Sequence, residues 1–385
     1  MVPATGDQGC DRGLQVCPVV VTTTDSPRRL SSERHPTATV PFVPVGHSRH
    51  MGDGPPIVIG HRGACGYRPE HTLASYEFAA RLGADFLEPD LVATADGVLV
   101  ARHEPELGTT TDIATRPEFA DRRTTRVVDG TTRTGWFVDD LTAAELRTLR
   151  AVERLPALRP GNTRYDRCFA VPTFAEILDL RDRLSRESGR SIGVYPETKT
   201  PGYFADRGIP LEPALVDALR GAGLDSPDAP VFVQSFDATS LQVLRTELPV
   251  PLVQLVDDDA PHLVAPEHLA VITGYADAVG VHKNLVIPRL AGGALGAPGP
   301  LVDDVHAAGL TVHAFTFRDE NIFLPADLRR GPGDADRGDG LAECVAFLRA
   351  GVDGLFADHP DTAVAARDLV TGGTVRTAQT TRRSS

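Results

Sequence analysis

Short apolar runs separated by amphipathic stretches repeat along most of the chain. Eight runs predict strands: IVIGHRG from Ile57, FLEPDLVA from Phe86, IGVYPETK from Ile192, VFVQSF from Val231, LVQLVD from Leu252, AVGVHK from Ala278, LTVHAFTF from Leu310 and DGLFADHP from Asp353. Between them, apolar residues recur at helical spacing over Thr72–Leu82, Thr173–Glu187, Glu212–Ala222, Asp237–Glu247, Pro300–Ala308 and Leu341–Ala350. Thr173 with Glu176 three residues on forms a capping-box pattern at one of these helix starts. After the fifth run, PEHLAVITGYA fits a short helix or a loop. Alternation of this kind predicts a parallel α/β sheet, and eight repeats predict its closure into a TIM (β/α)8 barrel. A doubly wound open sheet is the alternative.

One segment interrupts the alternation. Glu104 to Ala170 is polar and rich in turn residues, with helical spacing only over Ala143–Val152. A stretch of that length inside a compact domain is usually functional or a subdomain, and because it leaves the sheet directly after His103 it is expected over the barrel mouth. Residues 1–56 and 372–385 show no sustained period and read as an unstructured leader and tail around a catalytic unit at 57–371. Methionine occurs only at positions 1 and 51, so Met51 is a second candidate start.

The 385 residues are 41% hydrophobic, enough for a sizeable core, so the length describes one barrel with an insertion as readily as two or three domains. A net charge of -13 gives the chain as a whole no claim on nucleic acid or anionic lipid, which turns attention to small-molecule partners. Cys10, Cys17, Cys65, Cys168 and Cys344 are odd in number, widely spaced and without a C-x-x-C pair, against a disulfide framework or structural zinc. No apolar run approaches the roughly 20 residues that span a bilayer. No export signal is legible either, so the sequence as written predicts a cytoplasmic protein.

Charged residues on apolar strands carry the chemistry. Glu88 and Asp90 stand at i and i+2, so both carboxylates leave the same face. Such a pair is tolerable when a cation lies between the two or one is protonated, and oxygen-only ligands favour Mg²⁺ or Ca²⁺ over zinc. The bland alternative is a solvated edge strand or pairing with a lysine. Glu197 and Lys199 repeat the spacing on the next main strand: Glu197 suits a third carboxylate ligand and Lys199 an anion contact, unless the two simply neutralise each other. His61 closes the first strand before Arg62, Gly63 and Ala64, and His103 ends the run returning from the Asp96-Gly97 turn. Two histidines beside a metal and an anion site suit paired acid and base work near neutral pH. No P-loop, G-x-S-x-G or G-x-G-x-x-G pattern in strand-helix context offers a rival chemistry.

The segment VIGHRGACGYRPEHTLASYEFAARLGADFLEPDLVATADGVLVARHE resembles the opening signature of the glycerophosphodiester phosphodiesterases: an H-R-G turn, a P-E-x-T helix start, an E-x-D strand, a D-G turn and a downstream H-[DE]. Further along, ETK at Glu197, QSF at Gln234 and FADHPD at Phe356 resemble later motifs of that family, so the likeness runs from about Val58 to Asp361. It implies a TIM barrel and a metal-dependent hydrolase that converts glycerophosphodiesters to sn-glycerol 3-phosphate and an alcohol. It further implies Glu88, Asp90 and Glu197 as ligands of a divalent cation, Ca²⁺ or Mg²⁺, His61 and His103 as the acid-base pair, and Arg62 and Lys199 as phosphate contacts. Attack by the glycerol 2-hydroxyl, giving a cyclic phosphate that water then opens, is the family's route. The long insertion is similar to that of bacterial periplasmic-type members, which implies export and sets the resemblance against the missing signal.

The likeness has departures: Phe315 replaces the tryptophan of a W-T motif, Ala357 replaces a threonine, and His71 replaces the common asparagine of P-E-N-T. Gln234, His282, Lys283 and His313 fall near strand ends, where pocket-lining and packing roles both fit. Glu70 is expected as helix N-terminal charge or a partner orienting Arg62, and Cys65 as a small buried filler. A sphingomyelinase D-like phospholipase and a noncatalytic phosphate-binding barrel are the competing readings. The first wants an apolar lipid-facing loop, which the polar insertion does not supply, and the second is favoured by loss of His61 or His103, both present.

Overall fold

In chain order, β1 (Ile57–His61) is followed by β2 (Phe86–Glu88), β3 (Asp90–Ala93) and β4 (Leu99–Ala101). The insertion contributes β5 (Thr124–Val128) and β6 (Thr131–Gly135), and β7 (Gly193–Val194) and β8 (Glu197–Thr198) come next. The rest of the sheet is β9 (Val233–Ser235), β10 (Leu252–Val256), β11 (Ala278–His282), β12 (Thr311–Phe317) and β13 (Gly354–Ala357). These elements come from a computed structural model that describes residues 54–372. Cys10, Cys17, Met51 and nearly all of the leader and tail read from the sequence lie outside the described residues.

Two of the runs read as single strands are broken at proline. Pro89 separates β2 from β3 and Pro196 separates β7 from β8, because a residue without an N–H interrupts the ladder. Hydrogen bonding continues across both breaks: Tyr195 N donates to Leu87 O, Glu197 N to Pro89 O and Gln234 N to Pro196 O, at 2.8, 2.9 and 2.9 Å. Taken as continuous staves, the strands pair in parallel around a full circuit. β1 pairs with β2, β2 and β3 with β7 and β8, and β8 with β9. The ladder continues through β10, β11, β12 and β13, and β13 pairs back onto β1. The eight runs are therefore the eight staves of a closed TIM barrel, not of an open doubly wound sheet. β4 turns back antiparallel on β3.

Aromatic packing fills the barrel beneath its mouth. Tyr195 stacks on Phe232 with ring centroids 4.9 Å apart, among Ile59, Val253, Ala278 and Phe356. His313 belongs to this plug: its Nδ1 lies 2.7 Å from the Tyr195 hydroxyl, and burial lowers its pKa to about 4. Outside the strands, helices bury one face each, as Leu211, Leu215 and Leu219 do on Leu211–Gly221. Caps start them where the sequence places them: Thr72 before Leu73–Arg81, the Thr173–Glu176 capping box before Phe174–Ser188, and Asp237 before Ala238–Glu247. The ambiguous PEHLAVITGYA stretch forms a helix at Pro266–Ile272. Three helices escaped the sequence reading, Pro201–Asp206, Lys283–Val286 and Pro360–Thr371, and the first and last carry a proline in their first turn.

The insertion differs most from expectation. The helix read over Ala143–Val152 ends at Leu146, because Arg150 and Ala151 are drawn into bridges with Ala170 and Thr111. Although the segment is largely polar, it buries Leu107, Ile113, Phe119, Val138, Leu141, Leu146 and Leu149 in the main core. These apolar positions are scattered without a period, so the sequence pattern concealed them. β5 and β6 form an antiparallel hairpin turning through Asp129 and Gly130, at φ 46° and 75°. Asp-Gly is the signal by which that turn was readable. Among the described residues, no helix is long and apolar enough to cross a membrane.

Candidate active site

Strand register assembles the site at the carboxyl ends of the staves. His61 of β1 lies opposite Glu88 of β2, Asp90 of β3 opposite Glu197 of β8, and Glu197 opposite Gln234 of β9. Residues from four separate stretches of the chain thus converge through backbone pairing on one rim, where TIM barrels carry their chemistry. A cavity of about 730 Å³ opens there, lined by His61, Arg62, Glu88, His103, Glu197, Lys199 and Gln234, among others. Its outer wall includes Val128, Asp129, Thr131 and Arg133 of the insertion hairpin, which places that hairpin at the mouth.

The turn after β1 requires its glycine. Gly63 has φ 89°, and a β-carbon there would come within 2.4 to 2.7 Å of Ser75 and Tyr76. This close approach lets Arg62, itself at φ 54°, fold back over the carboxylates. Arg62 N donates to Glu88 Oε2 at 2.8 Å, its Nε lies 3.2 Å from Asp90 Oδ2, and its Nη1 donates to Glu70 Oε2 at 3.1 Å. Glu70 is thus an orienting partner of Arg62, as the sequence suggested.

Glu88, Asp90 and Glu197 are all buried and present oxygens within 4.8 Å of one another. Lys199 Nζ reaches Glu197 Oε1 at 2.6 Å and Asp90 Oδ1 at 3.4 Å, while Gln234 Nε2 donates to Glu88 Oε1 at 3.0 Å. Burial and the neighbouring Asp90 and Glu197 charges raise the Glu88 pKa well above the carboxylate range. Burial also raises Glu197 to about 8 in spite of the adjacent ammonium. Asp90 goes the other way: burial opposes it, but Lys199 and Arg62 hold its carboxyl well below the usual range. Three buried carboxylates with oxygen-only donors, two of them with ionisation suppressed, fit a hard divalent cation, which relieves their mutual repulsion.

His71, noted only as a departure, proves structural to this cluster. It is fully buried at φ 53°, a conformation that asparagine tolerates better than most residues. Its Nδ1 meets the Tyr76 hydroxyl at 2.7 Å and its Nε2 meets Asp90 Oδ2 at 2.9 Å. The ring therefore fixes the direction of the Asp90 carboxylate.

Each pocket histidine is held by a carboxylate through Nδ1. His61 pairs with Asp358 Oδ1 at 2.7 Å and His103 with Glu104 Oε1 at 2.6 Å. An ionised carboxylate only accepts, so Nδ1 carries the proton and the neutral ring keeps its lone pair on Nε2. Burial, then the Arg62 charge, lowers the His61 pKa to about 4 against the pull of Asp358. His103 is lowered to about 3 by burial and by the Arg62 and Lys199 charges. Both rings are neutral at physiological pH. Their partners were missed at the sequence level: Asp358 lies 297 positions from His61, a separation no local pattern spans.

The remaining candidates separate cleanly. Gln234 and His282 line the cavity, and Phe315 does so against Phe236, with ring centroids 6.1 Å apart. Lys283 lies outside it, buried with its Nζ 2.9 Å from both Glu343 oxygens. His313 sits in the plug below. Ala357 closes β13 as a buried residue, and Cys65 is a buried thiol whose pKa burial pushes well up, as an inert filler requires.

The sequence matches the model of the glycerophosphoryl diester phosphodiesterase family over residues 61–362. It is 33% identical over 326 residues to a glycerophosphodiester phosphodiesterase of Arabidopsis thaliana, covering 79% of this chain and 83% of the relative. A glycerophosphodiester phosphodiesterase of Haemophilus influenzae is 27% identical over 345 residues, covering 80% and 88%. Among solved structures, a glycerophosphoryl diester phosphodiesterase from Silicibacter pomeroyi superposes with a TM-score of 0.61 at 22% identity, covering 84% of this chain and 97% of that one. An Oleispira antarctica phosphodiesterase in complex with the product sn-glycerol-3-phosphate superposes at 0.57 with 20% identity, covering 82% and 97%.

Proposed function

We infer the chemistry of this chain from one premise: it belongs to the glycerophosphoryl diester phosphodiesterase family, and so hydrolyses glycerophosphodiesters to sn-glycerol 3-phosphate and an alcohol. The observation that carries the assignment of roles is the convergence, in one cavity, of a three-carboxylate cluster, two carboxylate-held histidines and two cationic side chains.

Glu88, Asp90 and Glu197 hold the divalent cation, either Ca²⁺ or Mg²⁺, both of which accept carboxylate ligands. When bound, that cation supplies positive charge to the non-bridging phosphate oxygens. Arg62 and Lys199 add fixed positive charge on the same side of the cavity and bind the phosphodiester anion, whose charge grows in the transition state. One neutral imidazole takes the proton of the attacking hydroxyl through Nε2, and the other ring delivers a proton to the departing alkoxide. Beyond burial, Arg62 depresses both histidines and Lys199 depresses His103; the substrate's negative charge offsets these cations, so substrate binding itself favours the protonated ring that the leaving group needs. Attack by the glycerol 2-hydroxyl leaves a cyclic phosphate, which water activated by the same pair opens to sn-glycerol 3-phosphate.

The test of this reading is product identity. Incubation with glycerophosphocholine is expected to release sn-glycerol 3-phosphate and choline in equal amounts, and sphingomyelin is expected to remain intact. Release of glycerol with phosphocholine instead would place the cleavage on the wrong phosphorus–oxygen bond.

A pH dependence follows from the carboxylates. Burial raises Glu88 well above the carboxylate range and Glu197 to about 8, so both favour their protonated forms at neutral pH, and a cation binds only the ionised forms. Cation affinity is therefore expected to weaken as pH falls through about 8, with protons released on binding at neutral pH. Calorimetric titrations in buffers of different ionisation enthalpy measure that release directly. Binding that is independent of pH between about 6 and 9, with no proton released, would contradict the charge state assigned to the cluster.

A further inference from the structure

We infer that the insertion acts as a positioning module for the acid-base pair, through two arginines that clamp the carboxylates behind His61 and His103. Neither Arg154 nor Arg159 lines the catalytic cavity. Each nevertheless ends on the group that holds a pocket histidine. Arg159 donates from Nη2 to Asp358 Oδ2 at 2.5 Å, while Asp358 Oδ1 holds His61 Nδ1 at 2.7 Å. Its other nitrogens are committed too, Nε to Glu320 Oε1 at 2.6 Å and Nη1 to the Cys65 carbonyl at 3.1 Å. The guanidinium is buried and spans three elements of the barrel rim from one side chain of the insertion.

Arg154 does the same for the second histidine and for the phosphate contact. Its Nη1 and Nη2 donate to Glu104 Oε1 and Oε2 at 2.9 and 2.6 Å, and Glu104 Oε1 holds His103 Nδ1 at 2.6 Å. The opposite edge of the same guanidinium donates to Glu70 at 2.7 Å through both Nε and Nη2, and Glu70 in turn accepts from Arg62. Glu104 without this fork, or Asp358 left with Arg318 Nε at 3.0 Å as its remaining guanidinium donor, gains freedom to rotate or to take up a proton, and either change releases the imidazole from the tautomer that keeps its lone pair on Nε2.

The segment carrying these arginines is itself fixed. Bridges Thr111–Ala151 and Arg150–Ala170 tie its base, and Asn162 Nδ2 donates to the Cys65 carbonyl at 3.1 Å and to Glu153 Oε2 at 2.9 Å. Leu149 and Ala151 are buried beside it. The insertion thus reaches the chemistry by two rigid ionic routes from behind the histidines, in addition to the hairpin at the mouth.

This inference rests on the reading of His61 and His103 as the acid-base pair, and the two arginines differ in a way that tests it. Arg159→Ala is expected to lower kcat for glycerophosphocholine by about tenfold to a hundredfold, with KM and calorimetric cation affinity within about twofold of wild type. Arg154→Ala is expected to lower kcat similarly and to raise KM as well, because it also frees Glu70 and hence Arg62. Arg159→Lys and Arg154→Lys, which keep the charge but not the planar set of donors, are expected to recover part of kcat. They serve as the readout if an alanine variant does not fold. In imidazole ¹⁵N–¹H spectra, the protonated Nδ1 signal of His61 is expected to weaken in the Arg159 variants, and that of His103 in the Arg154 variants. Folded variants with wild-type kcat and unchanged imidazole spectra would overturn the inference, as would a loss of kcat that follows a loss of cation affinity. A wild-type protein that leaves glycerophosphocholine intact would instead overturn the functional reading beneath it.

Discussion

His61→Ala and His103→Ala are each expected to lower kcat for glycerophosphocholine by about 10²- to 10⁴-fold, the range that a positioned proton-transfer group supplies. Their rings line the cavity, and each loses a partner without loss of the strand that carries it, since β1 and β4 are held by backbone pairing. Cation affinity should change little, because neither ring belongs to the three-carboxylate cluster. The double variant is expected to be scarcely worse than the poorer single one, because proton removal and proton delivery belong to one reaction and their losses do not add. Steady-state kinetics on the three variants check this. Full turnover in either single variant would remove that histidine from the mechanism.

Glu88→Ala is expected to have the second large effect, through the cation. Glu88 is buried, receives hydrogen bonds from Arg62 N and Gln234 Nε2, and shares the cluster with Asp90 and Glu197. Loss of an outer partner of a metal ligand typically weakens binding by about 10- to 100-fold, so removal of a ligand itself should reach at least the upper end. Calorimetric titration should show affinity reduced by at least about a hundredfold, and activity should return only in part at high cation concentration. Wild-type affinity in Glu88→Ala would place the cation elsewhere.

The barrel was legible because its information is local. Each stave is a short apolar run, and each major helix has a period and, in several cases, a cap, so all eight strands and their parallel order follow from the pattern. The carboxylates and histidines that meet in the cavity were legible for a related reason: they are polar, ionisable residues at the ends of runs that otherwise bury. What stayed hidden is long-range. The pairing of His61 with Asp358, and of Glu104 with an arginine 50 positions away, leaves no trace in a local window. The insertion hid its core because seven apolar side chains of the main core are spread over a polar segment with neither a 2-residue nor a 3.6-residue period. His71 looked like a neutral departure from a motif, and only the structure places its ring on Asp90.

We propose that the three-carboxylate cluster and its cation drive phosphodiester hydrolysis in this cavity. The most direct test follows glycerophosphocholine by ³¹P NMR in protein stripped with chelator and then titrated with Ca²⁺ or Mg²⁺. The expected result is a phosphodiester signal that stays constant in the stripped protein and converts to that of sn-glycerol 3-phosphate as cation is restored. Conversion at the same rate in the stripped protein, or none at any cation concentration, would contradict it.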